Sequence, residues 1–464
     1  MNKLAIITTH PIQYYAPVFK LLAQKMQLRV FYTWGEQSLH KYDQGFGKQI
    51  EWDISLLDGY EYLFLENLSI DPGTHHFNGI FNPTLIQEVQ RFEPDALLVY
   101  GWAWKSHLKA LMFFKGKIPV YFRGDSTLID QQNKFKNLLR KYFLKWVYSH
   151  VDKAFYVGTA NKAYFRHFGL KENQLFFAPH SVDNDRFAED HIPNAELIRA
   201  QFSIKSDEIL ILFAGKLEAK KNPEFLLDAF IDLDLKNTHL LFVGNGMLEG
   251  KLRERVSGLV GSGEGLAEKR SFDSVQDDKL GRKLDDKDKS LELGVESWEG
   301  KIDERPFDYA QDDKLEGAQD DREGSSELGV GSWEDLIKNR IHFMDFQNQS
   351  QMPAVYQACD LFCLPSQGPG ETWGLAVNEA MAAGKAVLVS DKVGCAADLV
   401  KPGFNGAVFK SGDLADLKQK LKALTENKAI LAQMGLSSQE IISDWTFEKQ
   451  VTLIVDTIEN KHAK

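Results

Sequence analysis

Two kinds of apolar spacing alternate along this chain. Short runs of β-branched and aromatic residues are separated by longer stretches in which apolar positions recur with the period of a helix. In the first part the predicted strands are Leu4–Thr9, Leu28–Thr33, Ala96–Tyr100, Val120–Arg123, Ala154–Val157 and Leu175–Pro179. The predicted helices cover about Tyr15–Lys25, Pro83–Arg91, Lys105–Phe114, Lys134–His150 and Asn161–Phe168. Such alternation builds a mostly parallel sheet with helices on its faces. Gly35–Asn78 has no clear period and carries Gly, Asp and aromatic residues. It reads as a long irregular insertion near the carboxyl edge of the sheet, where folds of this kind bind ligands.

The pattern breaks between Pro179 and Phe187 and then starts again. Ile209–Ala214, His239–Val243, Ile341–Phe343, Leu361–Leu364, Ala386–Val389 and Ala407–Phe409 are further strands, with helices at Pro223–Ile231, Met247–Val256 and after Gly374. A second doubly wound sheet follows. The fold class is therefore α/β, with two Rossmann-like domains, 1–183 and 184–444, facing each other across a cleft at their carboxyl edges. A last predicted helix, Trp445–Glu459 within 445–464, crosses back to the first domain.

One stretch belongs to neither sheet. Residues 271–305 and 306–340 repeat with a period of 35, pairing Phe272-Asp273 with Phe307-Asp308, Gln276–Leu280 with Gln311–Leu315, and Ser297–Glu299 with Ser332–Glu334. Two copies are too few to bury a continuous core, and apolar residues are sparse, so 257–334 reads as an acidic, disordered insertion. It also accounts for the net charge of −11. The insertion holds 22 acids against 11 bases, and the rest of the chain balances at 44 of each. The acidity thus says nothing of a substrate, and no basic patch interleaved with aromatics marks a nucleic-acid partner. No run approaches the roughly eighteen apolar residues of a membrane span. The first apolar run ends at Thr8-Thr9-His10-Pro11, too early for a signal-peptide core, which leads to the expectation of a cytoplasmic protein. Cys359, Cys363 and Cys395 lack metal-ligand spacing.

The candidate chemistry concentrates in Gly370–Gly384, which reads GETWGLAVNEAMAAG. It follows the buried-strand pattern Leu361–Ser366 and enters a segment of helix-forming composition closed by Gly384. A helix that starts behind glycines presents unpaired N–H groups and the positive end of its dipole, a setting that suits a phosphate. Glu371 and Glu379 would repel a phosphate, so they must address something neutral that favours acceptors. Sugar hydroxyls fit, and a diphosphate sugar would use both halves. An ordinary crossover turn with two solvated glutamates would show the same pattern. Lys216 and Lys221 lie between a strand end and the helix at Pro223, where an anion would meet that helix dipole. A pair of lysines alone is also what a solvated turn looks like.

In this order the motifs resemble retaining glycosyltransferases of family 4. Glu371 and Glu379 match the E-x7-E region, and Val389–Gly394 with Asp398–Val400 continue the likeness. Gly215-Lys216 and Lys221-Asn222 are similar to the Gly-Arg and Lys-Gly pairs that bind the donor diphosphate, although Lys in the Arg place loses the bidentate fork. Gly244-Asn245-Gly246 looks like a Gly-Asp-Gly turn, and Arg340–Phe346 like the strand and loop whose backbone reads the base. The likeness runs through most of 154–460. It implies a GT-B fold and transfer of a hexose-type sugar from a UDP- or GDP-sugar to a glycan or lipid-linked acceptor, with retention and with neither metal nor other cofactor. Glu371 would hold hexose hydroxyls, Gly374 and Leu375 would offer backbone N–H to the phosphates, and Glu379 would hold the ribose. Gly215, Gly244, Asn245 and Phe346 would complete the donor site. The leaving diphosphate, stabilised by Lys216, Lys221 and the helix start, would take the acceptor's proton as an oxocarbenium-like species forms.

The acceptor side departs from the family pattern. Where members carry a Gly-Gly turn after the first strand and a His after the strand near Val99, this chain has Thr9–Tyr15 and Tyr100-Gly101-Trp102. His10 and Gln13 become candidates for the cleft wall or for capping the next helix, and Asp125 either meets acceptor hydroxyls or caps a turn. The 134–150 helix mixes Lys134, Lys136, Arg140, Lys141 and Lys145 with aromatic and aliphatic residues. It suits either peripheral contact with the inner face of a membrane or packing on its own sheet. Two further readings share the architecture: a non-catalytic sugar-nucleotide-binding or scaffold protein, and an epimerase or phosphorylase. The second would need an acid pair or cofactor lysine in the cleft, which the sequence does not offer.

Overall fold

The computed structural model describes residues 2–40, 42–43, 48–129, 134–258 and 337–459. All but the first two residues of the acidic insertion lie outside this set. The first sheet contains β1 (Lys3–Thr8), β2 (Gln27–Tyr32), β3 (Glu61–Phe64), β4 (Ala96–Tyr100), β5 (Val120–Arg123), β6 (Lys153–Tyr156) and β7 (Leu175–Phe177), in the order β3-β2-β1-β4-β5-β6-β7. The second contains β8 (Ile209–Ala214), β9 (Thr238–Val243), β10 (Ile341–Met344), β11 (Leu361–Leu364), β12 (Ala386–Ser390) and β13 (Gly406–Phe409), in the order β10-β9-β8-β11-β12-β13. All their neighbouring strands are parallel. The central strands are buried on both faces, which is why they read as unbroken apolar runs and not as alternations.

Each sheet is wound outward in both directions from its first strand. The chain order therefore reverses between β1 and β4 and again between β8 and β11, and a crevice opens beyond the strand ends at each reversal. The two crevices face each other, so the turns after β1, β5 and β11 line one cavity.

Most predicted strands appear within a few residues of their expected limits. The exception is β3, inside the stretch that reads as irregular. It pairs only with β2, and Glu61 and Tyr62 are exposed, so no buried face imposed a period on its sequence. Its aromatics stack instead, with Phe64 on Tyr32 at 5.2 Å between ring centroids. In the second domain the helices Ile192–Gln201, Leu414–Thr425 and Lys428–Ile442 are additional to those the periodicity marks.

The last described helix, Phe447–Glu459, leaves the second sheet and packs on the first. Phe447, Val451, Ile454 and Ile458 share a core with Leu4, Ile6, Phe19, Leu22 and Leu98. A buried hydrogen bond from Ser181 Oγ to Gln450 Oε1, 2.8 Å long, fixes its register. Among the described residues no helix is long and apolar enough to cross a membrane.

Ile454 is wholly buried in that shared core. Replacing it by alanine should remove about 2–5 kcal/mol from the unfolding transition of the first sheet, as read by urea denaturation. A silent Ile454→Ala would show that the helix does not belong to this core.

Candidate functional site

The loop that carries Glu371 is pinned from behind. Gly374 sits at φ +96°, and a Cβ there would lie 2.8 Å from Val393 Cγ1. At Gly394 a Cβ would meet Thr372 O at 1.8 Å. Only glycine permits these approaches. Across them run bonds from Gly394 N to Glu371 O (3.1 Å) and from Cys395 N to Trp373 O (2.9 Å). The loop then enters the helix Leu375–Ala382 with Gly374 as its N-cap residue. Glu371 is 8% exposed. Its Oε2 accepts from Ser366 Oγ at 3.0 Å and pairs with Lys221 Nζ at 2.6 Å. Lys221 ends the short turn Ala219–Lys221, so the lysine turn after β8 and the acid loop after β11 meet at the switch point of the second sheet.

Glu379 points inward from the same helix and is 4% exposed. Its Oε1 accepts from Tyr14 OH at 2.9 Å and its Oε2 from Tyr356 OH at 2.8 Å. Burial pushes its carboxyl above the usual range, against the pull of the two phenols. The pattern of two solvated glutamates is thus excluded. Tyr14 belongs to the first domain, so a protein hydroxyl from across the cleft stands on the acid expected to hold a ribose.

At the far end, Asn245 Oδ1 accepts from Phe346 N at 3.0 Å, and its Nδ2 donates to Glu249 and Asp345. The Phe346 ring meets Trp52 of the first domain at 6.2 Å between centroids. Trp52 lies in a polar clasp: Asn348 Nδ2 donates to Glu51 O at 2.7 Å, and Ser350 N donates to the Asp53 carboxylate at 3.1 Å. Part of the irregular insertion therefore reaches across to the loop after β10.

Between the domains lies a cavity of about 190 Å³ lined by Tyr14, Tyr15, Asp125, His180, Glu371, Trp373, Gly374 and Leu375, among others. Asp125 accepts from Thr372 Oγ1 at 2.8 Å, and its Oδ2 lies 4.0 Å from His180 Nε2. Burial, then the nearby Arg123 charge, pushes the His180 imidazole well below its ordinary value, so the ring is neutral. Arg123 is itself buried and holds the turn under His180 by donating to Ala178 O (2.8 Å) and Pro179 O (3.0 Å). A second cavity of about 260 Å³ is lined by residues that include Gln13, Tyr14, Lys20, Asp58, Arg186 and Gln349. Tyr14 borders both.

Of the residues singled out in the sequence, Glu371, Gly374, Leu375 and Asp125 share one cavity, and Lys221 touches Glu371. Gln13 lines the other cavity. Gly215 and Gly244 lie on neighbouring strand ends, where Gly215 N bonds Val243 O at 3.0 Å, and Lys216 follows directly. His10 lies in neither lining set: its Nδ1 is 2.9 Å from Thr9 Oγ1 and its ring stands edge-on to Trp34. His107, the first histidine beyond Val99, is buried against Thr33 Oγ1 and Gly101 O, and burial pushes it down to about 4, as suits a structural residue. Sequence reasoning missed Tyr14, His180 and Trp52. For His180 a signal existed, since it follows β7 directly on the carboxyl edge; Tyr14 and Trp52 offered none.

Because the Glu379 carboxyl is raised in the folded chain, its contribution to stability is fully present below the unfolded carboxylate range and is lost as pH rises through the folded value. Glu379→Gln cannot ionise. Its stability relative to the parent should therefore improve steadily from pH 4 to pH 7 in urea denaturation, and a difference independent of pH would contradict the burial argument.

Residues 194–262 and 322–440 match the profile of the glycosyl transferases group 1. Over 100 residues the chain is 35% identical to the D-inositol 3-phosphate glycosyltransferase of Nocardia farcinica, a span of 22% of either chain. Likewise over 100 residues it is 30% identical to the N,N'-diacetylbacillosaminyl-diphospho-undecaprenol alpha-1,3-N-acetylgalactosaminyltransferase of Campylobacter jejuni, covering 22% of this chain and 25% of that one. The matches thus span about a quarter or less of these two relatives. Among solved structures, Anabaena HepE in complex with UDP and glucose superposes with a TM-score of 0.61 at 14% identity, covering 99% of this chain and 100% of that one. The sucrose-phosphate synthase of Thermosynechococcus elongatus gives 0.61 at 15% identity and full coverage of both. The fold is therefore GT-B, and within the second domain residues 194–262 and 322–440 are similar to the glycosyl transferases group 1.

Proposed function

We propose that the chain is a retaining glycosyltransferase that moves a hexose-type sugar from a UDP- or GDP-sugar to a glycan or lipid-linked acceptor without a metal ion. The observation that carries this reading is the Lys221–Glu371 pair at the start of the helix Leu375–Ala382, facing Asp125 and His180 across one cavity. A cation, a helix start and a carboxylate in contact supply what a sugar diphosphate needs at its phosphates and at its hydroxyls. The solved relative of like fold holds UDP and glucose, and one curated relative is named for an undecaprenol-linked substrate.

On this reading the donor exchanges partners already in place. Its diphosphate takes Lys221 from Glu371, with Lys216 and the N–H groups of Gly374 and Leu375 beside it, and the freed Glu371 turns to hexose hydroxyls. Ribose hydroxyls replace the Tyr14 phenol on Glu379. The C1–phosphate bond then breaks with its electron pair on the diphosphate, the acceptor oxygen bonds C1 on the same face, and the acceptor's proton passes to the departing phosphate. The neutral His180 and Asp125 line the acceptor side.

The lipid-linked option draws on the helix Lys134–Tyr148. Leu144, Val147 and Tyr148 are buried, whereas Leu139 and Tyr142 are each 66% exposed beside Arg140, Lys141 and Lys145. Apolar side chains flanked by cations on one helix suit an anionic membrane surface.

A panel of nucleotide sugars should raise the melting temperature through one UDP- or GDP-linked member, and that donor should release its nucleoside diphosphate equally well in chelator. Lys221→Ala and Glu371→Ala should each lower release by about 10²-fold at a temperature well below the cooperative unfolding transition that each variant retains. No stabilising nucleotide sugar, or full release by Glu371→Ala, would defeat the proposal. A Leu139→Glu/Tyr142→Glu variant should bind vesicles containing anionic lipid at least about tenfold more weakly than the parent in a flotation assay, while donor release stays the same.

A further inference from the structure

We infer that the loop between β3 and the helix Leu85–Phe92 binds one divalent transition-metal ion, zinc by preference, through Asp71, His75 and His76. Among the described residues this is a place where three potential ligand atoms converge, all within 4.8 Å of one another. His75 Nε2 and His76 Nε2 approach the same carboxylate oxygen, Asp71 Oδ2, at 3.0 and 3.2 Å. Around a tetrahedral ion with bonds of about 2.0–2.2 Å, ligand atoms stand roughly 3.4 Å apart, so a shift of a few tenths of an ångström admits the metal. As hydrogen-bond donors, both rings carry their proton on Nε2, which His75 gives to the Asp71 carboxylate and His76 to the Asp71 carbonyl oxygen at 3.0 Å. With an ion present, each neutral ring moves that proton to Nδ1 and gives its Nε2 lone pair to the metal.

The loop is shaped before any ion arrives. Ser69 Oγ donates to Asp71 O (3.0 Å) and Asn78 O (2.7 Å), Gly73 N to Gly79 O (3.0 Å), and Trp104 Nε1 to Thr74 O (3.2 Å). Asn67 Nδ2 closes it at Gly79 O with a 2.9 Å bond. The ligands are thus held on a fixed backbone, and binding requires little ordering of the chain. The side chains of Asp71, His75 and His76 are 69%, 53% and 24% exposed, which leaves an entry path and room for water in the remaining coordination positions. Two imidazoles out of three ligands select zinc, nickel or copper over the oxygen-seeking magnesium and calcium.

None of the three residues lines either interdomain cavity. The ion would act as a clip on the outer strand of the first sheet, and the inference is independent of the transfer chemistry proposed above. The full chain, stripped with chelator, should bind one equivalent of zinc in calorimetric titration. His75→Ala and His76→Ala should each weaken that binding at least about tenfold, and Asp71→Asn should weaken it too. Magnesium and calcium should give no heat at the same concentrations, and zinc should raise the melting temperature of the parent more than that of the variants. All three positions are on the surface, and equal melting temperatures in chelator would establish that the variants fold. Absence of stoichiometric zinc binding, or zinc binding unchanged in a His75→Ala/His76→Ala double variant, would overturn the inference.

Discussion

A carboxylate sealed between two domains has to be satisfied by both, and Glu379 is such a group. Removing a carboxylate from water costs several kcal/mol unless hydrogen bonds replace the lost solvent. Tyr356 supplies one bond from the same domain and Tyr14 the other from across the cleft. The approach of the two sheets is therefore part of what keeps this acid tolerable. Neighbouring contacts follow the same logic: Asn378 Nδ2 donates to His180 O at 3.1 Å, Thr372 to Asp125, and Thr159 N to Asp398 Oδ2 at 2.9 Å. Thr372, Asn378 and Glu379 of the E-x7-E stretch thus each have a partner in the first domain.

These contacts differ in kind from those at the crossing helix. Phe447, Val451, Ile454 and Ile458 bury apolar surface continuously with the first core, and opening them would expose all of it. The clasp of Glu51 and Asp53 on the loop after β10 is a set of exposed hydrogen bonds, each worth about 0.5–1.5 kcal/mol net and replaceable by water. A hinge at the apolar end and a latch at the polar end is the expected consequence. The domains can part around the Tyr14–Glu379 contact without losing either core, which is the kind of motion that lets a cleft enzyme load and release its substrates.

Much of this was legible in the sequence because burial leaves a period. Strands buried on both faces, such as β1, β8 and β11, announce themselves as apolar runs, and Gly374 and Gly394 mark close approaches that no side chain survives. The five-residue gap between Lys216 and Lys221 and the eight-residue step from Glu371 to Glu379 were visible as spacings. That Lys221 reaches Glu371, and that Glu379 turns away from solvent, depends on how two separate strand ends meet in space. β3 escaped because an edge strand with exposed Glu61 and Tyr62 buries too little to impose alternation. Tyr14 and Trp52 escaped because their partners lie in the other domain, and an interdomain contact leaves no local pattern, whereas the place of His180 beyond β7 was a signal left unread. His10 looked chemical by its position alone, whereas its ring is spent on Trp34 and Thr9.

The two cavities, of about 190 and 260 Å³, are each smaller than the roughly 300–1,000 Å³ usual for a ligand site, and the Tyr14 side chain divides them. A nucleotide sugar that reached from Glu371 to Glu379 would have to displace this phenol. The exchange is close to neutral, since a ribose hydroxyl can restore to Glu379 the hydrogen bond that Tyr14 withdraws. On the proposed reading, hydroxyl recognition at Glu379 would select the ligand without adding much to its affinity. The net free energy has to come from groups that lack so good a partner in the closed chain. On the proposed reading Lys221 would give up Glu371, a carboxylate of single charge, for a diphosphate of higher charge set against a helix start, and that gain would be electrostatic. Donor affinity should accordingly rest on the diphosphate and weaken with added salt, with the ribose and its Glu379 acting as the gauge of fit.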